Sequence, residues 1–420
     1  MNIPWRNTAG WEVVIGKSVT RSSSGFRSLL VVLCCVLVCL LSPVQSRARS
    51  EFRGAWVTAW DHGFLSPSEA NATVAAAKAA HINALFIQVR KVGDAYYDSQ
   101  FEPRATNISA VSYDPLGYII DRAHSQGIEV HAWINVLRVQ SPGGSNADPS
   151  HVRNSHPEWL TRDASGRTKG TDGYFLDPGL PEVQDYTVGI VADILSNYNV
   201  DGIHLDYVRY PGSKYGYNEE AVSRFNTRFG RSGSPSPDDP QWLSWRRSQI
   251  TALVRSIYSE ANAIRPEVKV SAATICWGDL GSSFERTDAY REALQDWAGW
   301  MREGIVDAVV PMNYRNERSA TGAEQYRRWL HGMVQWQNGR HIYAGQIIRD
   351  DLPGAVAQLR ASRAAGTDGM VCFAFNDTPA RAAFVSAVSR SVYSEPAEAP
   401  SMPWKERFAS APRSPRERIP

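Results

Sequence analysis

The chain has 420 residues, 43% hydrophobic and 21% charged, with 31 Gly, 24 Pro and 14 Trp, a balance that excludes collagen, coiled coil and wholesale disorder. Its 45 basic and 43 acidic residues leave a net charge of +2, which gives no electrostatic reason to expect nucleic acid as a partner. The length admits two or three average domains or one large α/β barrel with insertions.

Residues 29–41, LLVVLCCVLVCLL, are 13 apolar residues in a row and hold three of the five cysteines, Cys34, Cys35 and Cys39. A helix of that length rises about 20 Å, short of the roughly 30 Å hydrocarbon core. Arg21 and Arg27 precede it, and Val44 and Ser46 place small residues before Arg47. Residues 1–46 therefore read as a secretory signal peptide, with an uncleaved anchor as the alternative. The expectation is an exported protein, in the periplasm, cell envelope or outside, touching a membrane only transiently through that segment. Cys276 and Cys372 remain, expected as buried free thiols without metal-ligand spacing.

From Phe52 onward, short apolar runs alternate with helical patterns. Strands are expected to begin at Phe52 (FRGAWVTAW), Asn83 (NALFIQVRKV), Ile128 (IEVHAWIN), Val200 (VDGIHLDY), Val268 (VKVSAATICW), Ile305 (IVDAVVPMNY), His341 (HIYAGQII) and Gly369 (GMVCFAFN). Helical periodicity follows each, over residues 71–80, 115–126, 181–197, 241–263, 287–303, 322–336, 353–365 and 380–390. Eight βα units in one run predict an α/β fold, a single (β/α)₈ TIM barrel over 52–392. Residues 394–420, rich in Pro, Ser and Arg, read as a disordered tail. The loops after the third and fourth strands (138–180 and 209–240) are long, which points to a substrate cleft at the carboxyl ends of the strands.

Alternation along the strands sends polar side chains into the barrel. In the fourth strand Gly202, His204 and Asp206 share the inner face; in the second Gln88 and Arg90 do, and in the third Glu129, His131, Trp133 and Asn135. Asp206 ends its strand at the depth where barrel enzymes keep catalytic groups. Glu129, near a strand start, suits a buried polar network. Hydrolysis of a glycosidic bond usually needs two carboxyl groups. Asp206 is the candidate nucleophile or base, and Asp94, Asp177, Glu102 and Asp279 are all candidates for the acid, with Asp94 taken first. Trp277 and Tyr314 are candidate stacking platforms for sugar rings. A His131–His204–Asp206 set would instead suit a metal-dependent polysaccharide deacetylase. The leading reading needs no metal or cofactor.

The blocks FRGAWVTAW, NALFIQVRKVGDAYYDS, YDPLGYIIDRAHSQGIEVHAWINVLRV, FLDPGLPEVQDY, VDGIHLDYVRYP and GIVDAVVPMNY, in that order and with WRR at Trp245, resemble the glycosyl-hydrolase-like 10 family of exported or envelope-anchored bacterial barrel proteins. The resemblance implies a glycoside hydrolase, some relatives being linked to peptidoglycan glycan strands. It places Gln88, Arg90, His131, Asn135, Asp177, Asp206 and Tyr210 in family blocks. The family often has two consecutive acids where this chain has Asp206 and Tyr207, and an aromatic where it has Arg209. A more distant likeness links DGIHLDYV and PMNY to family 18 chitinases, but His204 and Val208 stand where that family has its middle Asp and catalytic Glu. The expected function is cleavage of a bacterial envelope or extracellular polysaccharide. Gln88, Arg90, His131, Asn135, Asp177, His204, Tyr210, Trp277 and Tyr314 would contact the sugar. A carbohydrate-binding barrel without turnover is the alternative.

Overall fold

In the computed structural model, which describes residues 49–348 and 351–406, the eight apolar runs form eight parallel strands of a closed barrel. They are β1 (Phe52–Val57), β2 (Ala84–Arg90), β3 (Glu129–Asn135), β4 (Gly202–Asp206), β5 (Lys269–Thr274), β6 (Ala308–Pro311), β7 (His341–Ile347) and β8 (Gly369–Phe373). β8 closes on β1 through the pairing of Gly369 with Phe52 and Cys372 with Ala55. Both faces of these strands are buried, which is why they read as near-continuous apolar runs. Val57, Ile87, Ile203 and Leu205 pack outward against the helix layer, while Phe52, Trp56, Phe86, Trp133 and Tyr343 fill the interior. Cys276 and Cys372 are buried free thiols.

The longer helices are α1 (Pro67–Ala79), α2 (Pro115–His124), α3 (Pro181–Asn197), α4 (Glu219–Phe229), α5 (Pro240–Ile264), α6 (Trp297–Glu303), α7 (Ala320–Gln335), α8 (Leu352–Ala365) and α9 (Pro379–Ser389). Asp114, Asp239 and Thr378 cap the helices that follow them through N–H groups of the first turn, and a proline sits in that turn in each case. α4 lies inside a stretch read as loop. Its signals were present in the sequence, an Asn218 N-cap and a left-handed Gly230 stop. The helix expected over 287–303 is broken into Asp288–Arg291 and α6. Between them Leu294 takes φ 54°, and Gln295 turns inward. Its Oε1 accepts from Ile275 N at 2.8 Å, and its Nε2 donates to the carbonyls of Val208 and Ala273. These tertiary bonds to strand ends override local helical propensity.

The long loop after β3 carries a three-stranded antiparallel sheet, Arg138–Gln140, Lys169–Gly170 and Gly173–Phe175. The tail reading needs correction as far as the described residues reach. Ala397–Glu398 pairs in parallel with Arg49–Ser50. Trp404 Nε1 donates to the buried Asp307 carboxylate at 2.7 Å, and Lys405 Nζ lies 3.2 Å from its other oxygen. These bonds dock the segment against the amino-terminal ends of the strands. Residues 407–420 and the expected signal peptide, residues 1–46, lie outside the described residues.

The barrel interior rises in levels. His131 is level with Gly202, Trp133 with His204, and Asn135 with Asp206. A β-carbon on Gly202 would lie 2.2 Å from His131 Nδ1, and His131 is wedged against Phe86 and Phe52, with ring centroids 4.7 and 5.8 Å away. Gly202→Ala is expected to destabilise the fold by about 1–3 kcal/mol, read as a lower midpoint in urea; an unchanged midpoint would show that the imidazole can move aside.

Candidate active site

The carboxyl ends of the strands open into a cleft of about 310 Å³. Its floor is aromatic. Trp56 and Phe373 lie 6.2 Å apart, and Tyr314 stacks on Phe373 at 5.8 Å. Trp60 and Trp277, 49% and 41% exposed, stand at the rim, available to pack on a ligand. Among the described residues, Asp206 and Asp172 are the two carboxyl side chains that line it.

Asp206 sits at the end of β4 because the Ile203–Leu205 alternation turns the apolar pair outward. Its Oδ2 accepts from Trp133 Nε1 at 3.2 Å and its Oδ1 from the Tyr207 amide at 2.7 Å. Burial, the largest influence, raises its pKa above the usual aspartate value, opposed by those two donors and by Arg209 and Arg138. Tyr207, at φ 49°, occupies left-handed backbone that costs a bulky residue energy. Its amide thereby meets the carboxylate it follows.

Three loops meet above Asp206. Arg138 and Arg209 lie 5.0 and 4.8 Å from the Tyr207 ring centroid, and Arg209 also lies 5.3 Å from Trp277. Asp172 ties the two guanidiniums together. Its carboxylate accepts from Arg209 Nη2 at 3.1 Å, and its carbonyl accepts from Arg138 Nε at 2.7 Å. Two carboxylates and two guanidiniums thus share one mouth. Thr58, also lining the cleft, has a buried Oγ1 without a hydrogen-bond partner among the described residues, and such a group gains most from a ligand hydroxyl.

Of the residues expected from sequence, Asp206, Gln88, Asn135, Trp277 and Tyr314 meet in this cleft. Gln88 Oε1 accepts from the Ala59 amide, and Asn135 Nδ2 donates to the Lys91 carbonyl, so both amides are held in fixed orientations. Arg90 is not there. The β2–β3 register shifts between Gln88 and Arg90, bringing Arg90 opposite the outward-facing Ile134. The bulge reverses the parity on which the expectation rested. Arg90 instead clasps Glu102, with Nε–Oε2 at 2.8 Å and Nη2–Oε1 at 2.6 Å. That pair also removes Glu102 from the candidate acids.

His204 lies one level below the cleft. Its Nε2 accepts from Trp56 Nε1 at 2.9 Å and its Nδ1 meets Ser271 Oγ at 2.9 Å. Burial holds its pKa well below the ordinary value, so it is a neutral prop for the floor. His131 is a further level down, paired with Glu129 at 3.1 Å, and Lys269 completes that partly buried network at 2.5 Å. Burial would raise the Glu129 pKa, but the His131 and Lys269 interactions outweigh it and hold the group at about 2. With His131, His204 and Asp206 on successive levels and both nitrogens of His204 engaged, the donor set of a metal-dependent deacetylase is not assembled.

Asp177 is fully buried, accepting from Thr161 Oγ1, the Gly179 amide and Tyr210 Oη. Asp177 and Tyr210 therefore anchor the loops behind the cleft and touch no ligand space. Asp94 accepts from the Val92 amide and lines a neighbouring groove. Asp279 is exposed and bonded to Gln325. Val208 is fully buried in the outer core, so no acid could act from its position. Sequence reasoning missed Asp172, Arg138, Thr58 and Trp60. Thr58 and Trp60 follow β1 directly and could have been drawn from its carboxyl end; Asp172 sits deep in an insertion with no periodic signal.

The profile of the glycosyl hydrolase-like 10 family matches residues 51–354. The glycosyl hydrolase DigH of Escherichia coli O6:H1 is 32% identical over 290 residues, covering 63% of this chain and 62% of that protein, so the chain spans less than two thirds of that relative's length. The glycosyl hydrolase YngK of Bacillus subtilis is 25% identical over 362 residues, 80% of this chain and 68% of that one. Among solved structures, the glycoside hydrolase domain of PgaB (BpsB) from Bordetella bronchiseptica superposes with TM-score 0.59 at 14% identity, covering 81% of this chain and 99% of that one. A family 42 β-galactosidase from G. stearothermophilus gives 0.59 at 11% identity, covering 81% and 56%. At these identities the two structures bear on the fold alone.

Proposed function

This chain belongs to the glycosyl hydrolase-like 10 family, and from that premise we propose that it is an exported glycoside hydrolase. Its substrate would be a bacterial envelope or extracellular polysaccharide, with peptidoglycan glycan strands as the first case to test. The observation that carries the reading is the pairing, in one aromatic cleft, of two carboxyl groups, Asp206 and Asp172. Asp206 acts as nucleophile or base. Two N–H donors fix its orientation, and burial makes it more basic than an ordinary aspartate, which favours proton abstraction or attack near neutral pH. Asp172, at the mouth, takes the role of acid that Asp94 was expected to fill, and to do so it exchanges its ion pair with Arg209 for a proton as substrate enters. Gln88, Asn135 and Thr58 meet sugar hydroxyls, and Trp277 and Tyr314 meet ring faces.

The test is reducing-end release from a glycan panel that includes peptide-free peptidoglycan. Release from at least one member supports the reading, and release from none overturns it. The pH profile has a definite sign. Protonating Asp206 removes the nucleophile or base, so kcat/KM is expected to fall as pH drops through its raised pKa. The acid limb should therefore lie above the ordinary 3.8, and a limb at or below that value would count against Asp206. For Asp172→Asn the loss is expected to track the leaving group, roughly 100-fold or more on natural glycosidic bonds and much less on activated aryl glycosides. Equal losses on both would remove Asp172 from the acid role. A second reading, a glycan-binding barrel without turnover, is favoured by the Arg209 ion pair that already engages Asp172; it predicts binding with no release.

A further inference from the structure

Beside the cleft lies a second depression, about 590 Å³, between the loops that follow β2 and β3. Lys91, Asp94, Gln140, Asn146 and His151 line it, and it shares one residue, Trp60, with the cleft. Its shape is fixed by close approach. Gly93, at φ +76°, leaves no room for a side chain, since a β-carbon there would lie 2.7 Å from His151 Nε2, and that nitrogen bonds the Val92 carbonyl at 2.8 Å. Lys91 Nζ stands 4.5 Å from the Trp60 ring centroid and 3.6 Å from Asp94 Oδ2. The two charges offset each other, so the wall offers hydrogen-bond donors and acceptors without a strong net field. A half-exposed indole beside such a wall complements a hydroxyl-rich, uncharged ligand that has an apolar ring face.

We propose that this groove is a run of sugar subsites continuing the cleft, and that the substrate is a glycan chain long enough to occupy both at once, crossing at Trp60. The inference rests on the glycan-hydrolase reading of the cleft. It also gives Asp94 and Lys91 a part in binding the distal sugars, away from the bond that breaks.

The experiment measures affinity of Asp206→Asn for chito-oligosaccharides from dimer to octamer and for peptide-free glycan strands, alongside reducing-end release by the wild type. Binding is expected to tighten with chain length by about tenfold or more between dimer and octamer. Ser145 is exposed on the groove wall, and Ser145→Trp, which fills the groove, should lower that octamer-to-dimer ratio at least about fivefold; Trp60→Ala, which removes the crossing point, should do the same. A ratio that both variants leave unchanged overturns the groove, as does failure of every glycan to bind. Turnover with an unchanged ratio overturns the groove alone. A ratio that falls while the wild type releases no ends keeps the groove and removes the hydrolase reading.

Discussion

Asp206→Asn is expected to lose turnover by roughly 10³-fold or more while still binding glycan, because the substitution keeps the side chain's shape and removes its basicity. The amide oxygen can keep one of the two N–H donors, Trp133 Nε1 at 3.2 Å or the Tyr207 amide at 2.7 Å, and its NH2 must turn from the other, a local cost that leaves the aromatic floor in place. The measurement is single-turnover release and equilibrium binding on the same preparation. Loss of both together would point to a collapsed cleft, and full turnover in the variant would take Asp206 out of the chemistry.

A comparably large effect, on stability, is expected just behind the cleft wall. The Arg90 and Glu102 side chains are 1% and 0% exposed, and Tyr186 Oη adds a third donor to Glu102 at 2.7 Å. Glu102→Ala strips the counter-charge from a buried guanidinium and should cost about 3–5 kcal/mol in unfolding free energy. Arg90 Nη1 also donates to the Asn135 and Val136 carbonyls, so the clasp ties the end of β3 to the loop after β2. Denaturant titration reads the loss, and turnover per folded molecule should stay near wild type. A variant of full stability but no activity would return the pair to the site.

Asp206 and Arg90 also show how far alternation along a strand can be read. Period-2 alternation placed Asp206 correctly because β4 pairs with β3 and β5 without a register shift. The same rule failed for Arg90 because one bulge at the end of β2 reverses which face follows. All eight strands were legible, since each is an apolar run bounded by turn residues. Alternation reports a face, but it does not report depth. His204 and Asp206 share parity and differ by one level, which separates a buried prop from a residue of the cleft. Asp172 was out of reach for another reason. It joins Asp206 through a long insertion folded back over the barrel mouth, and separation along the chain says nothing about such proximity. The family blocks FLDPG and DYVRYP contributed Asp177 and Tyr210, which bond each other behind the cleft and serve the fold.

The pairing of Arg49–Ser50 with Ala397–Glu398 and the seat of Trp404 on Asp307 have a practical consequence for handling the molecule. Arg49–Ser50 and Ala397–Glu398 lie at the amino-terminal ends of the strands, the face opposite the cleft. A label or surface attached at Ser50 or Glu398 would therefore sit on the side of the barrel away from Trp60 and Trp277.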